Sequence, residues 1–373
     1  MKTLIICFSQ TGNTHKIAEC IYQGITAAGS QCEMKTLNET APESLPQYDL
    51  IGLGAPVFWY KEPLNVQDFI EILPEQNSRH WFVFCTHANV IGNFFPSITE
   101  KLSKKGCKVI GFHDSYADLT VPFYPYPSYT TGHPDEIDFQ EAKAFGENIV
   151  ERSAQIQKTG DDGLIPEPGP VSSQEWIEES KTMTREKISR IIPEFTINTE
   201  TCIRCRLCEE NCPVGGIDID AEPPRIQDPC IYCWRCVSIC PTLSVEADWE
   251  PLVAMAPANY ARYRKELEKA AARGEFRWLI DPDTIDLNDP LYKQWQRQLK
   301  NKENKKKNTP NTGASSDNLD SITRLSRRSQ RSKKKVSRRI LWTSRKISGN
   351  NCHASWPSPQ RSTLFFSRVR ANY

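Results

Sequence analysis

Two cysteine runs of identical spacing constrain the fold of this chain more than any other feature. Each run has the pattern C-x2-C-x2-C-x3-C-P, and the second begins 28 residues after the first. The eight cysteines are Cys202, Cys205, Cys208, Cys212, Cys230, Cys233, Cys236 and Cys240. Three thiolates at intervals of three residues can surround one face of an iron–sulfur cube, while the fourth cysteine turns away from it. The repeat therefore predicts two metal-binding halves that arose by internal duplication.

Zinc is the main alternative metal, because C-x2-C pairs also hold that ion in tetrahedral sites. A zinc site needs four ligands and usually takes two from each of two separated pairs. That pattern does not explain a third cysteine at the same interval, followed by C-P. A disulfide scaffold does not explain the runs either, since it requires no repeated spacing. Iron–sulfur binding is the preferred interpretation.

The two runs resemble those of the bacterial two-cluster ferredoxins, and the match predicts a small α+β ferredoxin-like domain at residues 195–250. The resemblance implies two [4Fe-4S] clusters. One would be held by Cys202, Cys205, Cys208 and Cys240, and the other by Cys230, Cys233, Cys236 and Cys212. The sequence departs from that family at four bulky residues, namely Arg204, Arg206, Trp234 and Arg235. These side chains are expected to raise the cluster potentials or to form a docking face.

The first 155 residues alternate strand-like and helix-like patterns, which predicts an α/β fold with a doubly wound parallel sheet. Apolar runs predict strands at Lys2–Phe8, Cys32–Leu37, Asp49–Gly54, Trp81–Thr86 and Cys107–His113. Helical periodicity predicts helices at Asn13–Ala28, Leu64–Leu73, Phe95–Lys104 and Asp135–Gln155. The five strands and their helices would complete one domain.

A polar turn lies directly between the first predicted strand and the first predicted helix. It consists of Ser9, Gln10, Thr11, Gly12, Asn13 and Thr14. Hydroxyl groups and the backbone N–H groups of a helix N-terminus can surround a phosphate dianion, and Gly12 allows a close approach. By itself such a turn is usually a helix cap. At this position it resembles the phosphate loop of flavodoxins, T/S-x-T-G-N-T.

Two further loops at the ends of predicted strands extend the resemblance to flavodoxins. The loop after the third strand is Ala55, Pro56, Val57, Phe58, Trp59 and Tyr60; the loop after the fourth is Thr86, His87, Ala88 and Asn89, followed by Gly92 and Asn93. The resemblance implies a sheet in the order 2-1-3-4-5 and bound FMN, with Trp59 or Tyr60 stacked on the flavin. Core packing is the alternative for these two rings. A surface position is the alternative for His87.

Several other functions are not indicated by the sequence. Direct NAD(P)H binding is not expected, because the single G-x-G, at Gly52 to Gly54, lacks a third glycine. Neither paired carboxylates nor a Ser/His/Asp arrangement lies near the flavin loops, so acid–base chemistry on a substrate is not indicated. The N-terminal apolar run is too short for a signal sequence, and no stretch approaches the length of a membrane helix. A cytoplasmic protein without a membrane partner is expected.

The remaining segments divide by composition. Residues 156–194 predict a linker with a short helix at about Gln174–Ile192. Residues 251–300 predict an ordered extension with a charged helix near Tyr260–Arg273, which we expect to wrap one of the two domains. Residues 301–373 hold 18 Lys and Arg against 3 Asp and Glu and predict a basic, disordered tail. Nucleic-acid binding by this tail is the less favoured interpretation.

A loop at residues 118–134 is rich in proline and tyrosine and exceeds the usual connection of about 4 to 6 residues. Long ordered loops are often functional, and a surface insertion that packs on its own aromatic rings is the alternative.

The whole arrangement resembles the fusions of a flavodoxin domain with a ferredoxin found in anaerobic bacteria and archaea, over about residues 1–300. The resemblance implies an electron-transfer protein that connects FMN, two clusters and redox protein partners. The first 300 residues hold 29 basic and 43 acidic residues, which suits transient docking with basic partners. Two alternatives stay open. One is an FMN-dependent oxidoreductase that acts on a small substrate or quinone beneath the 118–134 loop, and the other is a redox sensor.

Overall fold

The computed structural model describes residues 1–308, and its first 159 residues alternate strands and helices. The strands are β1 (Lys2–Cys7), β2 (Gln31–Thr36), β3 (Leu50–Pro56), β4 (His80–His87) and β5 (Lys108–Tyr116). The helices are α1 (Asn13–Ala27), α2 (Leu64–Glu71), α3 (Phe94–Ser103) and α4 (Glu136–Thr159). The strands pair in parallel in the order β2-β1-β3-β4-β5. The predicted flavodoxin-like sheet is confirmed.

The two faces of the sheet bury different side chains, because successive residues of a strand point in opposite directions. In β1, Leu4 and Ile6 belong to the core that includes residues of α2 and α3. Ile5 and Cys7 belong to the core that includes residues of α1 and α4. The first of these cores continues into the cysteine-rich segment and includes Trp234. The sheet and the cysteine-rich segment therefore share one apolar interior.

Two short helices connect the sheet to the cysteine-rich segment. They are α5 (Gln174–Thr182) and α6 (Arg185–Ile191), where the sequence predicts one helix. The chain breaks between them because the Thr184 side chain caps α6 by accepting a hydrogen bond from the backbone N–H of Lys187 at 3.2 Å. A local side-chain bond of this kind competes with continuation of the helix.

The cysteine-rich segment folds as two similar halves. Its elements are β6 (Thr196–Ile197), α7 (Leu207–Glu210), β7 (Ile217–Asp218), β8 (Arg225–Ile226), α8 (Arg235–Ile239) and β9 (Val245–Glu246). The strands form two antiparallel pairs, β6 with β9 and β7 with β8. Each of the two helices begins after a left-handed residue, Arg206 (φ 63°) or Trp234 (φ 59°). These two residues occupy equivalent positions in the two cysteine runs.

Two helices follow the cysteine-rich segment, α9 (Glu250–Ala272) and α10 (Leu291–Asn308). Helix α9 begins earlier than predicted, because Pro251 fits the first turn of a helix. Its Tyr260 packs on Tyr124 and Tyr129 of the 118–134 loop, with ring centroids 5.3 and 4.8 Å apart. Helix α10 passes residue 300, so residues 301–308 are helical where the sequence predicts disorder. The rest of the predicted tail lies outside the described residues.

None of the helices within residues 1–308 has both the length and the apolar character that a membrane span requires.

Candidate functional site

A cavity of about 250 Å³ lies at the carboxyl ends of the central strands, where ligands of open α/β sheets bind. We call it the loop cavity. Thirteen of the predicted loop residues line it: Gln10, Thr11, Asn13, Thr14, Pro56, Val57, Phe58, Trp59, Tyr60, Thr86, His87, Ala88 and Asn89. The three predicted loops therefore meet at one site. The other five predicted residues, Ser9, Gly12, Ala55, Gly92 and Asn93, are not part of its wall.

The first loop is shaped by hydrogen bonds within the turn and by the conformation of Gly12. The hydroxyl oxygen of Ser9 accepts from the backbone N–H groups of Gly12 (3.1 Å) and His15 (3.3 Å). Gly12 has φ 104°, which favours glycine, and it provides no side-chain cap for α1. A helix N-terminus whose N-cap residue has no side chain leaves room at this edge for a phosphate group. The Thr14 hydroxyl is bonded to the Thr86 hydroxyl at 2.7 Å, so it ties the first loop to the third.

The second loop is a tight turn with two aromatic residues, Trp59 and Tyr60, at its centre. Phe58 and Lys61 exchange two backbone hydrogen bonds of 2.9 and 3.1 Å. The two residues between them, Trp59 and Tyr60, both have left-handed backbones, with φ 54° and 64°. Two consecutive left-handed residues define the tight turns that join antiparallel strands.

The two rings have different surroundings. Tyr60 lies 4.9 Å from the ring of Trp176 in α5, and its hydroxyl is 3.0 Å from that of Tyr263 in α9. Trp59 contacts Trp234 of the second cysteine run edge to face, with ring centroids 6.1 Å apart. Tyr60 is thus held by the connecting segment and the C-terminal extension. Trp59 links the loop cavity to the cysteine-rich segment.

The third loop contains a buried histidine. His87 is only 6% exposed, and its Nε2 lies 3.1 Å from a carboxylate oxygen of Asp114 at the end of β5. Its ring packs on Tyr116 at 4.5 Å. Burial alone would raise the pKa of Asp114, but the hydrogen bond to His87 and the nearby imidazoles lower it below its ordinary value. The surface position considered for His87 is therefore wrong.

Gly92 and Asn93 pack against the backbone of the second loop at Tyr60. The Asn93 backbone N–H donates to the carbonyl oxygen of Tyr60 at 2.8 Å, and the Gly92 N–H donates to the hydroxyl of Ser172 at 2.8 Å. Gly92 has φ 65°, and a Cβ there would lie 2.2 Å from the Tyr60 carbonyl oxygen. Ala55 is fully buried in β3. These three residues shape the site without lining it.

The sequence indicated two parts of the opposite wall of the loop cavity only as alternatives, the 118–134 loop over a small substrate and Trp234 on a docking face, and it did not identify the rest. This wall contains residues of the 118–134 loop and its approach, of α5 and α6, of the second cysteine run and of α9: Ala117, Asp118, Leu119, Thr120, Val121, Phe123, Tyr124, Glu179, Met183, Ile191, Tyr232, Trp234, Leu252, Met255, Asn259 and Tyr263. The four residues from α9 recur at intervals of three or four along one helix face, a periodicity that could have marked them. The segments are remote in sequence, so only the fold brings them together.

Three hydroxyl groups and an amide close one part of this wall. The Tyr263 hydroxyl lies 3.0 Å from that of Tyr60 and 3.4 Å from that of Tyr124. The Asn259 amide donates to the Tyr124 hydroxyl at 3.1 Å. Burial raises the pKa of each tyrosine well above its ordinary value. The group therefore stays neutral at physiological pH and can offer hydrogen bonds but no charge.

The eight cysteines of the two runs surround two separate cavities. We call one of them the far cavity and the other the near cavity. The far cavity is lined by Cys202, Cys205, Cys208 and Cys240. The near cavity is lined by Cys212, Cys230, Cys233 and Cys236. Each set takes three cysteines from one run and one from the other. This is the division that the resemblance to two-cluster ferredoxins implies.

Backbone groups and burial favour a bound metal at these cysteines. The N–H of Gly216 donates to the sulfur of Cys212, and the N–H of Ser244 donates to that of Cys240, both at 3.2 Å. N–H groups directed at sulfur stabilise the negative charge of cluster thiolates. Burial raises the pKa of the Cys233 thiol to about 12, so a thiolate there requires a bound metal cation. The donor set fits a cluster in each cavity.

Comparison with known proteins agrees with these two sites. Residues 4–106 match the family model of a flavodoxin domain. Residues 194–241 match that of a 4Fe-4S dicluster domain. The chain joins a flavodoxin domain to a 4Fe-4S dicluster domain. The two matches lie at opposite sides of the α5–α6 connection.

Similar proteins cover the flavodoxin domain. An uncharacterized protein of Methanocaldococcus jannaschii is 26% identical over 154 residues, which is 40% of this chain and 99% of that protein. A solved flavodoxin from the domain Archaea is 22% identical and covers 41% of this chain and 99% of its own, with a TM-score of 0.34. The two-electron reduced flavodoxin of Megasphaera elsdenii is 22% identical and covers 40% of this chain and 98% of its own, with a TM-score of 0.32.

The flavodoxin and dicluster domains touch through their functional loops. The Gln10 amide of the phosphate-type turn donates to the carbonyl oxygen of Cys233, and the Arg235 guanidinium donates to the carbonyl oxygen of Gln10. On the other side of this contact, the Asn38 amide donates to the carbonyl oxygen of Pro213 at 2.8 Å. The end of the first cysteine run and the middle of the second therefore both lie against the flavodoxin domain, and Cys212 and Cys233 from these two places line the same near cavity.

Proposed function

We propose that FMN binds in the loop cavity, that two [4Fe-4S] clusters occupy the near and far cavities, and that the chain transfers electrons between them. The observation that carries this proposal is the position of Trp234, which lines both the loop cavity and the near cavity. FMN exchanges one or two electrons, and each cluster exchanges one. A chain that holds both kinds of cofactor can therefore convert between two-electron and one-electron donors.

The residues that would hold FMN come from the three flavodoxin loops. The phosphate group would meet the turn from Ser9 to Thr14, at the N-terminus of α1. The flavin would lie between the Trp59 turn and the Thr86–Asn89 loop, with Trp59 as its aromatic contact. Tyr60 is the weaker candidate for stacking, since its hydroxyl and ring already contact Tyr263 and Trp176.

The two clusters would lie in series between the flavin and the surface. The near cavity borders the flavodoxin domain, whereas Cys205 of the far cavity is exposed and its neighbour Ile203 is 62% exposed. Helices α5, α6 and α9 cover the loop cavity. We infer that external redox proteins exchange electrons at the far cluster. The acidic first 300 residues favour basic carriers.

A second candidate function is reduction of a small substrate or quinone beside FMN. The hydroxyls of Tyr124 and Tyr263 and the amide of Asn259 favour it, because they place neutral hydrogen-bonding groups together in one part of the wall of the loop cavity. Turnover of small carbonyl compounds or quinones by the isolated chain, with reduced methyl viologen as electron donor, would support this candidate. Its absence would leave the carrier function alone.

Cofactor analysis tests the main proposal. Protein purified under anaerobic conditions should contain one FMN and about eight iron and eight sulfide ions per chain, the content of two four-iron clusters. Zinc in place of iron, or the absence of flavin, would contradict the proposal. A matched preparation with Trp59→Leu should keep its iron and sulfide but bind FMN more weakly, because the substitution removes only the aromatic contact.

A further inference from the structure

Trp234 lies between Cys233 of the near cavity and the Trp59 turn of the flavodoxin domain. It follows Cys233 directly, and its ring is 6% exposed. The ring contacts Trp59 on the flavodoxin side, with centroids 6.1 Å apart. Among residues 1–308, it is also the one aromatic residue that lines both the loop cavity and the near cavity.

The duplicated sequence shows that a cluster fold of this kind does not itself need tryptophan here. Arg206 is the equivalent residue of the first run, with the same left-handed backbone at the start of the same short helix. Its guanidinium reaches the surface, where it pairs with Asp220 at 2.6 Å. The two halves thus have the same backbone conformation at this position, but Arg206 pairs with a surface carboxylate and Trp234 contacts the flavodoxin domain. The bulky Trp234 is explained by its contact with the flavodoxin domain.

The contact is fixed in place by its neighbours. On one side of Trp234, the carbonyl oxygen of Cys233 accepts a hydrogen bond from Gln10. On the other side, Arg235 donates to Gln10 and to the side-chain oxygen of Asn211. Phe123 packs edge to face on the Trp234 ring at 5.4 Å. Packed protein atoms of this kind couple two sites better than a solvent gap does.

We propose that Trp234 is the contact through which single electrons pass between the near cluster and FMN. This inference rests on the proposed function. In each transfer the near cluster loses one electron and the flavin gains one, or the reverse, while the indole is neither oxidised nor reduced. An external one-electron carrier replaces the electron at the far cluster. Trp234 therefore positions the two cofactors and fills the gap between them.

The test compares Trp234→Leu with a matched variant, Trp249→Leu. Trp249 lies in the same aromatic cluster, 6.1 Å from Trp234, and it is equally buried but lines neither cavity. A laser flash generates reduced methyl viologen, and flavin absorbance then reports the first-order phase that does not depend on protein concentration. Cofactor content, the midpoint potentials of all three centres and the FMN dissociation constant are measured on the same samples.

In Trp234→Leu the intramolecular phase should slow on the order of tenfold or more, because a gap opens between the cofactors. Potentials and cofactor content should match the wild type, and Trp249→Leu should transfer electrons at the wild-type rate. A wild-type rate in Trp234→Leu, or an equal loss in Trp249→Leu, would overturn the proposal. If Trp234→Leu loses a cofactor, Trp234→Met fills more of the space without a ring and is judged by the same criterion. Absence of cofactors from the wild type would instead reject the proposed function.

Discussion

The side-chain amide of Gln10 donates a hydrogen bond to the backbone carbonyl oxygen of Cys233, 223 positions further along the chain. Arg235 completes the contact, since its guanidinium donates to the Gln10 carbonyl oxygen and, at 3.2 Å, to the Asn211 side chain. Two of these three bonds involve backbone atoms of functional loops. Each of these two bonds joins a side chain of one domain to the main chain of the other, so together they fix the two loops relative to each other.

Replacing Arg235 should weaken this domain contact. Arg235→Leu removes charged hydrogen bonds from a half-buried position and should lower the free energy of unfolding by about 1–3 kcal/mol. Urea unfolding followed by circular dichroism measures the change. Arg204→Leu is the control, because its ion pair with Glu222 lies at the exposed end of the dicluster domain and should contribute less. Equal losses in the two variants would contradict this account.

The Gly12 backbone gives a second prediction. Gly12→Ala introduces a Cβ at φ 104°, and Gly160→Ala does so at φ 67° at the end of α4; neither Cβ meets a neighbouring atom. Both should reduce the free energy of unfolding by about 1–2 kcal/mol through backbone strain. Only Gly12→Ala should weaken FMN binding, as measured by quenching of FMN fluorescence with apoprotein. FMN affinity unchanged by Gly12→Ala would argue against phosphate binding at this turn.

The sheet was predictable because its signals are local. The apolar run from Lys2 and the polar turn from Ser9 to Thr14 are each contained in a few consecutive residues, as are the cysteine spacings. The strand order then followed from the resemblance, and the structure has the same order. Helix ends were less predictable: Thr184 divides the helix expected at Gln174–Ile192, because a side-chain cap there outweighs the helical periodicity.

Most of the opposite wall of the loop cavity could not be predicted, because its residues are far apart in the sequence. Met183, Tyr232 and Asn259 come from three separate segments and carry no motif, so their common position depends on how the domains pack. Gly92 shows the converse case. The sequence predicts it beside the flavin, but it does not line the loop cavity: its N–H donates to the Ser172 hydroxyl, and its left-handed backbone passes close to the Tyr60 carbonyl oxygen. Sequence motifs predict which cofactors a chain can bind, whereas packing decides which other side chains line the binding site.

The crossed cysteine sets give a third prediction. Cys212 belongs to the first run but lines the near cavity with three cysteines of the second run. Cys212→Ala and Cys233→Ala should therefore affect the same cluster, and each should reduce iron from about eight to about four per chain. Cys20→Ala, in the flavodoxin domain, should leave iron unchanged. If Cys212→Ala disturbed the cluster that Cys205→Ala disturbs, by electron paramagnetic resonance, the proposed division of ligands would be wrong.

A buried histidine joins the flavodoxin domain to the segment that follows α9. The Nδ1 of His133 lies 2.7 Å from a carboxylate oxygen of Asp138, and its Nε2 lies 2.9 Å from the carbonyl oxygen of Arg277. Both partners are acceptors, so the two bonds together require a doubly protonated, charged imidazole. Burial opposes that charge, but the bonds to Asp138 and Arg277 outweigh it and raise the pKa of His133 above its ordinary value of 6.5.

Stability should therefore depend on pH through His133. A pKa that is higher in the folded than in the unfolded state adds stability that is complete below 6.5 and is lost as the pH rises through the folded value. The free energy of unfolding, measured in urea from about pH 7 to about pH 8, should fall in the wild type, because His80 and His113, whose pKa values burial lowers, and the buried thiols act mainly outside this range. His133→Gln cannot titrate and should lack this decrease, whereas His15→Gln, on the exposed face of α1, should keep it. A wild-type slope in His133→Gln would assign the pH dependence to another group.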